Sequence, residues 1–469
     1  MQRIIVYFSA LVTVIYSACT VSKDLPAPVD SVPAAYRDAV PADTAGIAAI
    51  QWKSFFHNEG LQRLIDSALR HNYDLQAAAK SIEAASLMVK QSRLGYLPVA
   101  TAQAAATINR PSDNSLNGLS LNQFLGKSYV EDYTLTVTLG WEADFWGKVK
   151  LQKAKARAAF LLQEESGKAI GTELVAAIAT GYYNLLMLDA QLAIARKNLA
   201  LNDSTLQLMQ LQYQSGEISA LAVQQAGSQR LVAAGLIPRL EEAITLQENA
   251  LTILAGIAPG PIQRSGDIRE KVFAGIPSAG IPSALLDNRP DVKIRELELR
   301  IANASTGLAK TAMYPSLTIT AGGGINAFKA SNWFTVPASL FAMGTGGITQ
   351  PLFQHNQLKT IYKVSALDRE RTVIRFRQTV LKAIGEVSDA LARTGKLEEQ
   401  RSAADARVQL LEQATGNANL LFKNGLANYL EVITAESNAL QGELELAVIR
   451  KEQSSNMIEL YRALGGGWR

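Results

Sequence analysis

Cysteine and histidine are nearly absent from this chain of 469 residues, which contains one cysteine, Cys19, and three histidines. A single cysteine cannot form an intramolecular disulfide or supply a cluster of thiolate ligands. His57, His71 and His355 lie far apart and have no second ligand at helical spacing, so we predict no metal site. Because no nucleophile elbow or pair of catalytic acids is found either, we expect a protein that is not an enzyme and needs no cofactor.

A large excess of one charge is also missing. The chain has 46 Lys and Arg against 42 Asp and Glu, a formal net charge of +4. A net charge of +4 over a chain of this length gives no concentrated basic surface of the kind that binds nucleic acid. We therefore predict no nucleic-acid partner. Apolar residues make up 48% of the chain, which is enough for a large folded core and excludes a disordered protein.

Long apolar runs are absent after residue 18, since no stretch of 18 apolar residues follows it. We therefore expect no membrane-spanning helix there, and any membrane crossing would have to be made by strands. The first residues have the order of a secretory signal, with basic Arg3, apolar residues 4–16 and two small residues directly before Cys19. The pattern predicts that residues 1–18 are removed as a signal peptide.

The same pattern predicts that Cys19 becomes the lipidated first residue, carrying palmitate or another fatty acid. Small residues before a cysteine are similar to a bacterial lipobox, although Tyr16 stands where that motif usually has Leu. The alternative is an ordinary signal peptide that ends near a buried thiol. The residue after the cysteine is Thr20 and not Asp, and the resemblance to lipoprotein sorting signals then favours the outer membrane over retention in the inner one. Prolines among small residues then predict an extended arm without a core of its own.

Proline is absent between Ser112 and Ile237 and again after Leu352, as long helices require. Between Ile178 and Tyr213 an apolar residue recurs every seven positions, which is the pattern of a coiled coil. A helix over 150–214 would be about 100 Å long. The predicted long helices cover about 150–214, 218–255, 355–423 and 427–464.

An internal repeat organises the chain. Residues 72–75 align with 289–292 at a shift of 217, and residues 213–216 align with 422–425 at a shift of 209. Each copy reads helix, strand pair, long helix, tight turn, helix. The predicted divisions are a signal peptide (1–18), a lipidated arm (19–58), a first repeat (59–260), a connector (261–284), a second repeat (285–464) and a tail (465–469).

Strands are predicted between the helical blocks of each copy. From Tyr133 to Trp141 apolar residues alternate with threonines and glycine, a period of two with one apolar and one hydroxyl-rich face. The glycines at 322–324 are interpreted as part of a strand that needs small residues or a bend. Residues 110–129 and 328–337 are interpreted as polar or turn-like connections. The predicted strands cover about 99–109, 130–142, 316–327 and 338–350.

Strands of this length and alternation suit a tilted crossing of a membrane around a wet lumen. Four strands cannot close a barrel, and open edges are not tolerated in hydrocarbon, so several chains would have to pool their strands. The alternative is a soluble four-stranded sheet that covers a core with its apolar face, which periodicity alone does not exclude.

Five short segments, taken in their order along the chain, resemble those of a known family. They are WEADFWGK at 141–148, NRPDV at 288–292, AMYPSL at 312–317, QPLF at 350–353 and ALGGGW at 463–468. Together they resemble the TolC-like outer-membrane efflux channels, specifically the lipoprotein branch called the OprM or NodT type. The resemblance covers nearly the whole chain after Cys19.

The resemblance implies a mixed α and β membrane protein, a homotrimer whose three sets of four strands form a twelve-stranded barrel in the outer membrane. A long periplasmic α-helical coiled-coil barrel would continue it. The implied function is that of a passive exit duct for small molecules such as drugs, docked to a periplasmic membrane-fusion adaptor and driven by an inner-membrane transporter. The resemblance also implies contact with outer-membrane lipid. It implies no cofactor other than the covalent lipid on Cys19.

Two sets of site residues follow. The turns around Gly216 and Gly425 would form the periplasmic tips, where the resemblance implies contact with the adaptor beside Ser215 and Asn424. In the family two acidic residues three apart face the narrow end, and here those positions are Glu431 and Thr434. The family's ion pair between hairpins would fall on Ala222 and Ala427, so closure would rest on packing of Phe422, Leu430 and their neighbours.

Two other functions remain open. A channel for type I protein secretion shares the fold, although the lipoprotein start and the C-terminal motif favour export of small molecules. A lipid-anchored periplasmic coiled-coil scaffold is the alternative from another class. The alternating strand from Tyr133 to Trp141 favours the channel, because a scaffold needs no lipid-facing strand.

Overall fold

The computed structural model describes residues 23–28, 32–33, 35–37, 47, 50–269 and 280–468. The predicted signal peptide, Cys19, most of the predicted arm and residues 270–279 of the predicted connector lie outside these residues. Within them, no helix combines the length and apolar character needed to cross a membrane.

Long helices and four strands make up most of the described chain. The helices are α1 (Trp52–Phe55), α2 (Glu59–His71), α3 (Tyr73–Arg93), α4 (Leu116–Leu125), α5 (Lys148–Gln214), α6 (Ala220–Leu254), α7 (Leu285–Asn288), α8 (Pro290–Thr311), α9 (Gln357–Lys423) and α10 (Tyr429–Ala463). The strands are β1 (Val99–Asn109), β2 (Val130–Glu142), β3 (Ser316–Ala327) and β4 (Leu340–Thr349).

The duplication seen in the sequence is visible in the helices. Helices α5 and α9 each have 67 residues, and α6 and α10 each have 35. Each second-copy helix begins 209 residues after its first-copy counterpart. The glycines that follow the shorter helices, Gly256 and Gly465, both have a positive φ, and they are separated by the same 209 residues.

The connection between β1 and β2 differs from the sequence interpretation, because it contains helix α4. Ser115 caps this helix, its side chain accepting a hydrogen bond from the Gly118 backbone N–H at 3.1 Å. Gly126 ends it with a φ of 61°. These are ordinary start and stop signals of a helix. The repeat offset falls from 217 at the first strands to 209 at the long helices, so this connection is eight residues longer than its counterpart in the second copy.

The described chain divides into two compact units that do not follow the repeats. The strand unit contains Glu83–Leu161 and Leu297–Val373 with the described residues up to Ala27. The helical unit contains Pro28–Ile82, Leu162–Glu296 and Ile374–Arg469, as far as these are described. Each unit therefore combines segments of both copies.

The strand unit holds one sheet in the order β1-β2-β3-β4, antiparallel throughout. The central pairing, β2 with β3, joins the two copies and sets Tyr133 opposite Ala327. Glycines permit close approach at this seam. A Cβ on Gly324 would collide with the Leu135 carbonyl, whereas one on Gly344 would meet open space. The glycine run thus lies in a strand that needs small residues.

In the helical unit, two of the resemblance segments meet. The buried Arg289 guanidinium donates to both carboxylate oxygens of Asp291 and, at 2.8 Å, to the carbonyl of Ala463 at the end of α10. The Trp468 indole N–H donates to the Asn288 carbonyl at 3.3 Å. The NRPDV and ALGGGW segments therefore join the start of the second copy to its end.

Candidate functional site

The exposed face of the sheet is the first candidate site. Leu135, Val137, Leu139 and Trp141 on β2 are 38–50% exposed. The intervening threonines at 134, 136 and 138 are partly buried. A soluble sheet would hide the apolar side chains against a core, so the exposure seen in the described chain speaks against that alternative.

The strand register extends this division across all four strands. Residues directly opposite one another in an antiparallel pair share a face. Val137 lies opposite Ala102 on β1 and Gly323 on β3, and Gly323 lies opposite Ala342 on β4. Thr136 lies opposite Gln103 and Gly324. One face is therefore apolar across the sheet, while the other carries most of the hydroxyl groups.

Aromatic residues mark both ends of the sheet. At the helix end, the indole N–H of Trp141 donates to the Tyr96 carbonyl at 3.0 Å, and Trp146 stacks on Tyr314 with ring centroids 4.7 Å apart. At the other end, the Tyr133 and Trp333 rings are 5.6 Å apart. Eight residues separate Tyr133 from Trp141, about 26 Å along a strand. Aromatic girdles at such a spacing are typical of outer-membrane strands.

The two turns predicted as tips have the same geometry. Gly216 and Gly425 have φ values of 81° and 71°, the left-handed conformation expected at a helix end. Ser215 Oγ donates to the Leu211 carbonyl at 3.1 Å, and Asn424 Nδ2 donates to the Leu420 carbonyl at 2.8 Å. Both side chains are exposed. Their contact with an adaptor stays a prediction.

A buried cluster, the tip cluster, holds the two turns together. It consists of Met209 of α5, Ala226 of α6, Phe422 of α9 and Val432 of α10. Phe422 is 4% exposed, so it can contribute to closure only by packing. Whether Phe422 lines the aperture stays a prediction.

Glu431 and Thr434, the other predicted aperture residues, are exposed on the first turns of α10. Asn428 caps this helix, its Oδ1 accepting from the backbone N–H of Leu430 at 2.9 Å and of Glu431 at 3.2 Å. Asn428 Nδ2 donates to the Glu431 carboxylate at 3.2 Å. Ala222 is fully buried, and neither it nor Ala427 can form an ion pair.

Glu436 is a site residue that sequence reasoning missed. Its side chain is fully buried beside the tip cluster, where Thr205 Oγ1 donates to Oε1 at 2.9 Å and Asn419 Nδ2 donates to the same oxygen at 3.4 Å. Oε2 has no hydrogen-bond partner in the described part of the chain. Burial raises the pKa of this carboxyl, and the two hydrogen bonds oppose the rise. The sequence offered only its spacing of four residues from Val432, which places the two on one side of α10.

A sheet with one apolar and one hydroxyl-rich face, bounded by aromatic residues, in a chain with four long helices, is typical of outer-membrane channel proteins. The sequence profile described as outer membrane efflux protein matches residues 64–257 and 281–466. The chain belongs to this family.

Relatives are found over nearly the whole chain. The toluene efflux pump outer membrane protein TtgC of Pseudomonas putida is 28% identical over 473 residues, covering 98% of this chain and 95% of the relative. The cation efflux system protein CusC of Escherichia coli is 27% identical over 419 residues, covering 89% and 88%. The probable outer membrane lipoprotein SilC of Salmonella typhimurium is 27% identical over 423 residues, with the same coverage.

Solved structures show the same fold. A crystal structure of CusC matches with a TM-score of 0.84 at 25% identity, covering 96% of this chain and all of that one. The MtrE channel of Neisseria gonorrhoeae matches with a TM-score of 0.84 at 22% identity, covering 96% and 99%. The predicted fold class, the outer-membrane location and the function as an efflux exit duct are confirmed. The family is one of channels and not of enzymes.

The burial of Glu436 predicts a dependence of stability on pH. Because the folded state raises the pKa above its usual value of 4.5, the contribution of Glu436 to stability should be greatest at low pH and be lost as the pH rises through the raised pKa. Glu436→Gln keeps an acceptor for Thr205 and removes the buried charge. At pH 8 it should be more stable than the wild type by about 1 to 3 kcal/mol, with little difference at pH 4.

Denaturation midpoints in detergent at the two pH values measure this difference. The control is Glu452→Gln, an exposed glutamate on the same helix, which should follow the wild type. Equal pH dependence in Glu436→Gln and the wild type would show that Glu436 ionises without cost in the folded protein.

Proposed function

We propose that three copies of this chain form a closed twelve-stranded barrel that releases small molecules through the outer membrane. An inner-membrane transporter would supply both solute and energy through a periplasmic membrane-fusion adaptor. The observation that carries the proposal is the register of the sheet, which places one exposed apolar face behind one hydroxyl-rich face. A scaffold does not need this arrangement, and a soluble sheet would bury the apolar face.

The sheet edges support assembly with other copies. In the described chain β1 pairs only with β2, and β4 only with β3, so each edge strand has a row of backbone groups without a strand partner. Hydrocarbon offers no hydrogen bonds, so an edge inside a membrane must be paired. Pairing β1 of one copy with β4 of the next would close the sheet, and the family supports three copies.

The solute class is the least constrained part of the proposal. The relatives are named for toluene, antibiotics, solvents and cations. We propose small toxic molecules as the solutes, the range that these names cover. Type I protein secretion stays the alternative within this fold.

The start of the described chain supports a lipid anchor on Cys19. Leu25 and Asn303 of α8 exchange two hydrogen bonds, from the Leu25 N–H to Oδ1 at 3.1 Å and from Nδ2 to the Leu25 carbonyl at 2.9 Å. Arg369 of α9 donates to the Lys23 carbonyl at 3.2 Å. Only four residues separate Lys23 from Cys19, about 14 Å at most. These contacts would hold an anchor near the strand unit.

Metabolic labelling with a fatty-acid probe tests the anchor. The wild type should be labelled and Cys19→Ser should not, while both reach the outer membrane, because the barrel is an anchor by itself. Ser31→Ala, which leaves Cys19 and the small residues before it unchanged, serves as the control and should stay labelled. Label on the Cys19→Ser protein would contradict the assignment.

We place adaptor docking at the two tips, around Ser215 with Gly216 and Asn424 with Gly425. Ser215→Glu combined with Asn424→Glu should reduce export to the level of a strain without the channel, because two charges would be added to each copy's docking surface. Insertion and trimer formation should be unchanged. Accumulation of a fluorescent solute in cells measures export.

The matched control is Ser204→Glu with Asn438→Glu, which adds the same charges at exposed helix positions away from the turns. This variant should export normally. Normal export by the tip variant would contradict docking at these turns, and so would equal loss in both variants.

We also place Glu431 and Thr434 at the aperture, where three copies of Glu431 would form an acidic ring. Their exposure and the capping of α10 by Asn428 support a fixed position at the helix start. Glu431→Gln should then lower the cation selectivity of single-channel current in planar bilayers, with Glu443→Gln as the control. Unchanged selectivity would place Glu431 outside the aperture.

A further inference from the structure

Basic residues are concentrated where the helices join the sheet. Three stretches at these junctions, 88–97, 146–160 and 355–367, contain no Asp or Glu. Eight basic residues in them have exposed side chains and no ion pair within the described part of the chain. We name these eight the basic collar: Lys90, Arg93, Lys150, Lys153, Lys155, Arg157, Lys359 and Lys363.

The basic collar lies close to the ends of the strands. Lys90 and Arg93 occupy the last turn of α3, six residues before β1 begins at Val99. Lys150 to Arg157 occupy the first three turns of α5, which starts six residues after β2 ends. Lys359 and Lys363 occupy the first two turns of α9. All of them belong to the strand unit.

Lys150, Lys153 and Arg157 form a stripe of exposed side chains on α5, next to the side of the helix that packs. Val149 is 9% exposed, and a Cβ on Gly95 would lie 3.1 Å from its side chain, so this side of α5 packs against the chain before β1. Lys150, Lys153 and Arg157 follow at spacings of three and four residues, which places them on one side of the helix. Nothing in the described chain neutralises them.

Large apolar side chains are exposed beside the collar. Leu94, Leu97, Phe145 and Leu352 are each more than half exposed, and Phe353 is 97% exposed. They lie in the segments that connect the collar to the strands, near the aromatic pair Trp146 and Tyr314. An apolar band, an aromatic zone and then a row of cations is the order that a protein presents to a membrane surface.

We propose that the basic collar binds the phosphate groups of anionic phospholipids in the membrane leaflet nearest the helices. The inference rests on the proposed function, because it takes the sheet to cross the membrane. Clusters of four to eight Lys and Arg beside a membrane segment attract anionic headgroups. Eight cations without ion pairs in the described chain would repel one another. A phospholipid offers a phosphate to these cations and apolar chains to the exposed apolar side chains beside them.

Lipid retention by the full-length protein tests this proposal. The triple variant Lys150→Gln, Lys153→Gln, Arg157→Gln removes the stripe on α5. The control, Arg375→Gln, Arg377→Gln, Lys382→Gln, removes three exposed cations, without ion pairs in the described chain, farther along α9. Each protein is reconstituted in equal parts of phosphatidylglycerol and phosphatidylcholine, extracted with detergent, and its retained lipids are counted by native mass spectrometry.

The wild type and the control should retain phosphatidylglycerol over phosphatidylcholine, with an enrichment that falls as salt is added. In the collar variant, the ratio of retained phosphatidylglycerol to phosphatidylcholine should be at least fivefold lower. Equal enrichment in the collar variant would overturn the proposal, and so would an equal loss in the control. An altered ion selectivity of the channel with unchanged lipid retention would also overturn it, since the cations would then line the duct.

The same samples report on the proposed function separately. A three-chain mass and a channel current of the wild type support the barrel, whatever lipid it retains. A wild type that gives neither would contradict the proposed function, whereas a wild-type channel without lipid preference would contradict only the basic collar as a lipid site.

Discussion

The requirement that every backbone polar group be paired inside hydrocarbon determines most of this structure. A chain with four strands leaves the outer edges of β1 and β4 without partners, which a membrane does not tolerate. Assembly of copies into one closed sheet satisfies the edges. Within the sheet, the glycines of β3 lie where a side chain would collide with β2 or β4, so this strand needs small residues.

Duplication supplies two hairpins of the same geometry but different chemistry. Both copies end their long helices in the same left-handed glycine turn, at Gly216 and Gly425, and both contribute to the tip cluster. The buried acid occurs in only one copy, since the position that corresponds to Glu436 in the first copy is Gly227. The two hairpins therefore share their packing and differ in how they respond to pH.

Patterns that extend over many residues were readable from the sequence, whereas features set by single residues in context were not. The alternation of β2 and the proline-free heptads of α5 predicted a strand and a helix whose observed ends lie within two residues of expectation. Helix α4 was missed because ten residues with scattered leucines show no clear period. Glu436 resembled any solvated glutamate of a helix until its neighbours were known. The basic collar was hidden because a net charge of +4 averages over the whole chain.

The central claim is that the apolar face of β2 meets lipid and the threonine face meets water. Single cysteines placed at 134–139 in a Cys19→Ser background, each carrying an environment-sensitive fluorophore, measure this directly in vesicles. The account predicts that a lipid-soluble nitroxide quenches labels at Leu135, Val137 and Leu139, while aqueous iodide quenches those at Thr134, Thr136 and Thr138. Quenching of all six by iodide alone, or without alternation, would contradict a membrane-spanning sheet.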